Sequence, residues 1–411
     1  MASKTLDASA VRSRHTQLLL RLLWQDGRLS RAELARRSGL SRSTVTAIAN
    51  TLLNTDLVRE LGAGRSNGGR RPIVLGFNYQ ARLAIGVDLS ASHVAVALVT
   101  LKGEVLVWRE EAHPVRQDPE GTIALSGRLI QELLDEEPGA HARVLGIGVG
   151  APSPIFSEQP HAMAVGLMPM WVGHDIVASL GQRFQRPVLL DNDANLGALG
   201  ELRWGAARGR KHVALLTLGT GLGLGLVIDG QIYRGARGSA GEISHLSIDI
   251  NGPQCVCGQR GCLVLLAGSA AVTERANALA RARGRAGDGE DLWTTAELVA
   301  AARGGDPLAR EIFADVGRWL GVALTNVVNL VSPDLVVLGG QLSQAGRSLI
   351  DPIAETVDTC TQWMRMSPTE IVTTHLHERD VALGAATLVF DRALSDEHSL
   401  LDEAKPLANA S

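Results

Sequence analysis

The sequence predicts an α/β body of two lobes preceded by a winged helix-turn-helix, and three observations carry that expectation. Charge is split along the chain: residues 1 to 75 hold thirteen Lys or Arg against five Asp or Glu, so the other 336 residues carry −11 of a net −3. Residues 15 to 53 show helical apolar spacing punctuated by capping signals. Beyond Tyr79 buried-type strands alternate with helices, and a similar order of strands returns in the second half, as in α/β proteins.

The head comes first. Leu18, Leu19, Leu22 and Leu23 recur at helical spacing and predict an amphipathic helix over His15 to Trp24. Ser30-Arg-Ala-Glu33 has the form of a capping box opening a short second helix with Leu34 and Ala35, and Gly39-Leu40 makes the turn. Ser41 caps a third helix that buries Val45, Ile48, Ala49, Leu52 and Leu53 and turns Arg42, Ser43, Thr44, Thr46 and Asn50 outward. Those side chains can reach phosphates and base edges in a major groove. Leu57 to Leu61 and Ile73 to Leu75 read as a hairpin wing whose tip carries Arg65, Arg70 and Arg71 among glycines; arginine is favoured in a minor groove. A basic head of this pattern predicts double-stranded DNA as partner. The plainer alternative is a small helical domain that binds protein.

In the body, Leu83 to Asp88, Val94 to Val99 and Glu104 to Arg109 resemble a meander, followed by a helix near 120 to 135 and a strand at Val144 to Val149. Val213 to Thr217, Leu224 to Ile228, a long helical stretch and Leu335 to Leu338 repeat that order. Two lobes with a cleft between them follow. The run from Val213 to Ile228 is glycine-interrupted and too short to span a bilayer. No apolar segment follows Met1, so no signal peptide and no membrane partner are expected, and few cysteines, spaced for metal, suggest a reducing cytoplasm.

Two segments mark the cleft. Leu218-Gly-Thr-Gly-Leu-Gly-Leu-Gly225 lies between two strands, where glycines admit backbone N–H groups to a phosphate or a sugar. Asp191-Asn192-Asp193 follows a strand at Pro187 to Leu190; Asn and Asp together bind vicinal hydroxyls, and Asp can serve as a base. The same triplet also reads as a helix cap. A third segment is chemically the most specific. Cys255-Val-Cys257-Gly-Gln-Arg-Gly-Cys262 follows His245 by ten residues, giving three thiolates and an imidazole suited to a closed, structural Zn²⁺ site, with Gly258 and Gly261 allowing the loop to fold. Glu242 lies three residues before that His, so the zinc loop is expected to border a ligand pocket.

Gly219 to Gly225, Gly241-Glu242-Ile-Ser-His245, the C-x-C-G-x-x-G-C loop and the wing sequence Gly68-Gly-Arg-Arg-Pro72 together resemble the ROK family of sugar kinases and sugar-responsive regulators, over essentially the whole chain after residue 12. The resemblance implies an actin-like, hexokinase-like ATPase fold, and domains at 1–80 (winged helix-turn-helix), 81–193 (first lobe) and 194–411 (second lobe with the zinc loop). It implies that Asp193 occupies the kinase base position, that Asn192 and Glu242 bind sugar hydroxyls, and that His245 holds zinc with one nitrogen and touches sugar with the other. Cys255, Cys257 and Cys262 would complete the metal site. It further implies a homodimer or homotetramer.

Two departures bear on activity. Where kinases of the family read D-x-G-G-T-K, this chain has Asp88-Leu-Ser90-Ala91-Ser92-His93, without the glycines or the cation. Where the family has Glu after Gly-Cys-Leu, this chain has Val264. The expectation is a DNA-binding repressor of carbohydrate-metabolism genes, tuned by a sugar or sugar derivative and not an enzyme. The alternatives are an ATP-dependent sugar kinase carrying a DNA-binding head, and a regulator that binds DNA without a ligand. The tail from Ser395 has no assignable role.

Overall fold

A computed structural model of the protein describes residues 8–63, 71–159, 163, 166–285, 291–361 and 369–395. The wing positions Arg65 and Arg70 and the tail after Ser395 lie outside the described residues.

The head contains α1 (Ala8–Asp26), β1 (Arg28–Ser30), α2 (Arg31–Ser38), α3 (Arg42–Leu53), β2 (Val58–Ala63) and β3 (Ile73–Phe77). Both caps form as read. Ser30 Oγ accepts from the Glu33 N–H at 3.2 Å while the Ser30 N–H donates to Glu33 Oε2 at 2.8 Å. Ser41 Oγ accepts from the Thr44 N–H at 3.1 Å. Such caps satisfy N–H groups that have no partner within the helix. On α1 the buried stripe is Leu19, Leu20, Leu23 and Trp24, and Leu18 is exposed; Leu19 and Leu23 keep the face their spacing predicts, and Trp24 turns toward the body. The wing strands join β1 in a sheet of order β1-β3-β2, and the short β1 carries no strand pattern that three residues could display.

The body holds two sheets with one topology. In the first lobe β4 (Leu83–Leu89), β5 (His93–Thr100) and β6 (Val105–Ala112) form an antiparallel meander. Helices α4 (Pro119–Glu136) and α5 (Ala140–Arg143) then lead to β7 (Val144–Ala151), α6 (Ile176–Phe184) and β8 (Val188–Asn192). The order is β6-β5-β4-β7-β8, with β7 and β8 parallel to β4. Helix α7 (Asp193–Trp204) crosses to the second lobe, where β9 (Val213–Leu218), β10 (Leu222–Ile228) and β11 (Gln231–Ile232) form the second meander. The zinc-type loop follows, then α8 (Val264–Ala267), α9 (Ser269–Ala282), α10 (Thr295–Gly304), α11 (Pro307–Val331), β12 (Leu335–Gly339), α12 (Arg347–Cys360), β13 (Glu370–Thr373) and α13 (Asp380–Ser395). Here the order is β11-β10-β9-β12-β13, the same arrangement as in the first lobe.

Helix α13 lies within the segment 194–411 assigned to the second lobe from sequence, yet it packs on β4, β7 and α7. Its apolar residues, Ala382, Leu383, Ala386, Val389 and Phe390, share one buried cluster with Leu19, Leu23 and Trp24 of α1 and with Ala84, Ala97 and Val99 of the first sheet. The DNA-binding head and the first lobe are therefore joined by a common apolar core, and burial of that size is the main force holding them together.

Candidate functional site: a cleft bordered by a cysteine-histidine cluster

The end of β8 and the start of α7 build one wall of the cleft. Asn192 is the N-cap of α7: its Oδ1 accepts from the Asn195 N–H at 3.2 Å. The cap reading of the Asp-Asn-Asp triplet is thus correct for Asn192 Oδ1, and the amide nitrogen remains directed elsewhere, donating to Ser153 O at 3.3 Å and Asp193 Oδ1 at 3.1 Å. Asp191, which the sequence left without a role, is buried and paired with Arg234, whose Nη2 lies 2.5 Å from Asp191 Oδ2. Nothing local in the sequence pairs residues 43 positions apart. Asp193 accepts from the Ala194 N–H at 2.8 Å. Burial pushes its carboxyl up to about 6, opposed by hydrogen bonds from the α7 N-terminus and by the Arg116 guanidinium, as desolvation of a carboxylate requires.

The opposite wall comes from the second lobe. Gly241 has φ +93°, and a Cβ there would fall 2.0 Å from Leu224 O, so only glycine lets this segment approach β10. Glu242, directly after it, is pushed up to about 7 by burial and then by the charge of Asp193. The two carboxyls therefore share one electrostatic environment. Ser244 Oγ accepts from the Leu222 N–H at 3.1 Å and donates to Leu222 O at 2.6 Å, tying this segment to the Gly219–Gly225 hairpin. That double bond to the backbone was not visible in a single hydroxyl side chain.

His245, Cys255, Cys257 and Cys262 converge, with their ligand atoms all within 4.8 Å of one another. Cys255 Sγ lies 3.6 Å from His245 Nδ1 and Cys257 Sγ lies 3.5 Å from Cys262 Sγ. A tetrahedral Zn²⁺ with Zn–S bonds of about 2.3 Å has ligand–ligand edges of roughly 3.7 Å, so the donor set fits that ion in kind and in spacing. Gly258 and Gly261 take positive φ, and a Cβ at Gly261 would lie 1.7 Å from Asp249 O. The cysteine loop is thus folded by the glycines that the sequence singled out. Val264, in place of the family's Glu, begins α8 and is half-buried.

The first hairpin of the cleft is built differently. Asp88 is the penultimate residue of β4, and burial, followed by the charges of Asp193, Asp380 and Glu110, pushes its carboxyl well above the usual range. His93 Nε2 lies 3.9 Å from Asp88 Oδ2, where the phosphate-loop pattern has a lysine.

On the head, Arg42, Ser43, Thr46 and Asn50 are exposed and Thr44 is half-buried. Ser43 and Thr44 share hydrogen bonds with Ser41 Oγ, both at 2.8 Å, and Thr46 Oγ1 donates to Arg42 O. Asn50 Oδ1 accepts from Arg31 at 3.3 Å. Arg71, two residues before β3, is exposed.

With this geometry in view, the comparisons are decisive on family. The ROK family description matches residues 84–392, and a winged helix-turn-helix DNA-binding description matches residues 12–59. The chain belongs to the ROK family. The xylose repressor of Bacillus subtilis (strain 168) is 29% identical over 388 residues, spanning 94% of this chain and 98% of that protein. A crystal structure of a ROK family transcriptional regulator, a homologue of the E. coli MLC protein, superposes with TM-score 0.76 at 26% identity, covering 95% of this chain and 98% of that one. A ROK family glucokinase from Streptomyces griseus, in complex with glucose and AMPPNP, superposes with TM-score 0.67 at 29% identity over 75% of this chain and 99% of that one. The kinase thus matches a part of the chain, whereas the regulator matches nearly all of it. Among the described residues no helix is long and apolar enough to cross a membrane.

Proposed function

We propose that this ROK protein is a DNA-binding transcriptional repressor of carbohydrate-metabolism genes, controlled by a sugar or sugar derivative bound between the lobes and without kinase activity. One observation carries this reading: a DNA-reading head shares an apolar core with a kinase-like lobe whose first phosphate loop, Ser90-Ala-Ser-His93, lacks the glycines and the lysine that would receive ATP. A Cβ at each former glycine obstructs backbone approach to phosphate, and the missing cation leaves phosphate charge without a partner.

Asn192, Asp193, Glu242 and His245 are the effector ligands in this account. Both carboxyls suit hydroxyl groups: Asp193, raised only to about 6, accepts as a carboxylate near neutral pH, and Glu242, raised to about 7 beside that charge, can hold a proton and both donate and accept. Val264 offers no acceptor, so the pocket favours a ligand with one hydroxyl contact fewer than the family's usual sugar. His245, Cys255, Cys257 and Cys262 would hold a structural Zn²⁺, which fixes the loop and, through Nδ1, the ring orientation of His245. Four protein ligands leave no open position for catalysis. Effector binding shifts the population toward the lobe arrangement that releases DNA, in proportion to its differential affinity for the two arrangements. Arg42, Ser43, Thr44, Thr46 and Asn50, with wing residues Arg65, Arg70 and Arg71, are assigned to operator contact in this account. A homodimer would read a two-fold site with half-sites spaced by helical turns, and such a regulator acts in the cytoplasm.

Fluorescence anisotropy on DNA from upstream of the protein's own gene tests the reading. Tight binding weakened by one sugar is expected, with Arg42→Ala and Asn50→Ala each costing about 1 to 3 kcal/mol and Arg71→Ala lowering the salt slope by about one unit. Unchanged binding in all three variants would remove the assigned DNA face. The glucokinase likeness and the intact Gly219–Gly225 hairpin favour the second reading, a sugar kinase; sugar-dependent ADP release from ATP that disappears in Asp193→Asn would establish it.

A further inference from the structure

Helix α7 joins the cleft to the DNA-binding head. Its N-terminus carries Asn192 and Asp193, and its last turn carries Arg203 and Trp204. The guanidinium carbon of Arg203 lies 3.5 Å from the ring centroid of Trp24, a residue of α1 in the head. Trp204 meets the same indole edge-on at 6.4 Å, and Phe390 of α13 does so at 6.4 Å. Trp24 is anchored through its own groups as well: its indole N–H donates to Leu101 O, and its carbonyl accepts from Tyr79 Oη at 2.9 Å. Trp204 is fixed by an indole hydrogen bond to Thr387 Oγ1 at 2.8 Å.

Between those ends the helix has little freedom to slip. A Cβ at Gly225 of β10 would lie 2.1 Å from Ala194 O, on the second-lobe side. On the other side, a Cβ at Gly384 of α13 would lie 1.7 Å from Leu196 O, and one at Gly200 of α7 would lie 2.4 Å from Asp380 O. Backbones this close interlock, and packed interfaces move between discrete arrangements rather than deform smoothly. Twelve residues at 1.5 Å each make a rod of about 18 Å. A rearrangement of Asn192 and Asp193, or of the lobes around them, therefore moves the Arg203–Trp204 end as well.

We propose that Arg203 and Trp204 are positioning residues that carry effector occupancy at the N-terminus of α7 to the DNA-binding head through Trp24. The inference rests on the effector reading above, and its test separates the two. Operator affinity is measured with and without D-xylose and D-glucose, and the affinity for each sugar is measured without DNA. The sugar that weakens wild-type binding is then applied to Arg203→Met and Arg203→Lys. Linkage in this range amounts to roughly 5- to 150-fold. Arg203→Met is expected to keep each separate affinity within about threefold while the sugar's effect on DNA binding falls below about threefold. Arg203→Lys, which keeps a cation over the indole, is expected to retain most of it. Wild-type linkage in Arg203→Met overturns the proposal and leaves the effector reading standing. Wild-type DNA binding that neither sugar moves overturns both. If Arg203→Met fails to fold, Trp204→Phe, which keeps a ring and loses the bond to Thr387, supplies the same readout.

Discussion

The two lobes place equivalent hairpins at the cleft, and the hairpins have parted in chemistry. In the second lobe Leu218 pairs with Leu222 across Gly219-Thr-Gly221. A Cβ at Gly221 would meet nothing within 4 Å, and neither Gly219 nor Gly221 has positive φ. Neither packing nor backbone strain explains those glycines, and they leave the backbone of the hairpin uncovered by side chains. In the first lobe Leu89 pairs with Val94 across Ser90-Ala-Ser-His93, where each position carries a side chain and His93 Nε2 lies 3.9 Å from Asp88 Oδ2. The sheets behind the hairpins have the same strand order. The same sheet thus carries loops of different composition, glycine-rich in one lobe and Ser-Ala-Ser-His in the other.

The largest effect should come from breaking the cysteine-histidine cluster, which belongs to the second lobe. Cys257→Ser is expected to lower zinc affinity by more than about 100-fold, beyond what loss of an outer partner causes. Hydrogen exchange should quicken in β9–β10, which Ser244 ties to the His245 segment, and stay unchanged in β4–β5. One zinc per chain retained in the variant, measured by elemental analysis, would refute the ligand set. The next test restores what the first hairpin lacks. The combination Ser90→Gly, Ala91→Gly, Ser92→Thr and His93→Lys should raise affinity for an ATP analogue by roughly 10- to 100-fold over wild type in calorimetry. Equal binding by the two proteins would mean that this loop is not what separates the lobes.

A smaller effect concerns pH. The Glu242 carboxyl is raised to about 7, first by burial and then by Asp193, so between its unfolded value near 4.5 and about 7 the folded chain holds the proton more tightly than the unfolded chain. Stability falls as pH rises through that window and is level above it. Glu242→Gln removes the ionisation penalty, and at pH 8 it should exceed wild type by up to about 3 kcal/mol in denaturant unfolding, with no difference at pH 4. An equal gap at both pH values would assign the effect to packing. The smallest change is Ser244→Ala, which deletes two backbone bonds to Leu222 and should cost about 1 to 2 kcal/mol, confined to the second lobe.

Much of this molecule was legible in its sequence because the signals were local. Ser30, Glu33 and Ser41 announce helix starts within four residues. The glycines at 258 and 261 sit inside the loop they bend, and the strand pattern repeats wherever one lobe repeats the other. What escaped depends on distance along the chain. Asp191 and Arg234 are ordinary polar residues until the fold pairs them, and Ser244 gives no hint of Leu222. The return of α13 to the first lobe has no local marker, since its apolar faces would suit either sheet. The burial of Trp24 on α1 has the same origin: it is selected by Trp204 and Phe390, which lie far off in sequence, while Leu19 and Leu23 keep the face their spacing predicts.

The shared core of head and first lobe has a consequence for anyone building sensors from this scaffold. A cut at residue 80 looks natural on a domain map, but it would strip Leu19, Leu23 and Trp24 of the partners they hold in Ala97, Leu383 and Phe390. A transplanted head would arrive with a greasy underside and would clump or twist on its new support. A workable chimera must exchange α13 and the end of α7 along with the head, so the exchangeable part is a set of contacting surfaces drawn from both ends of the chain.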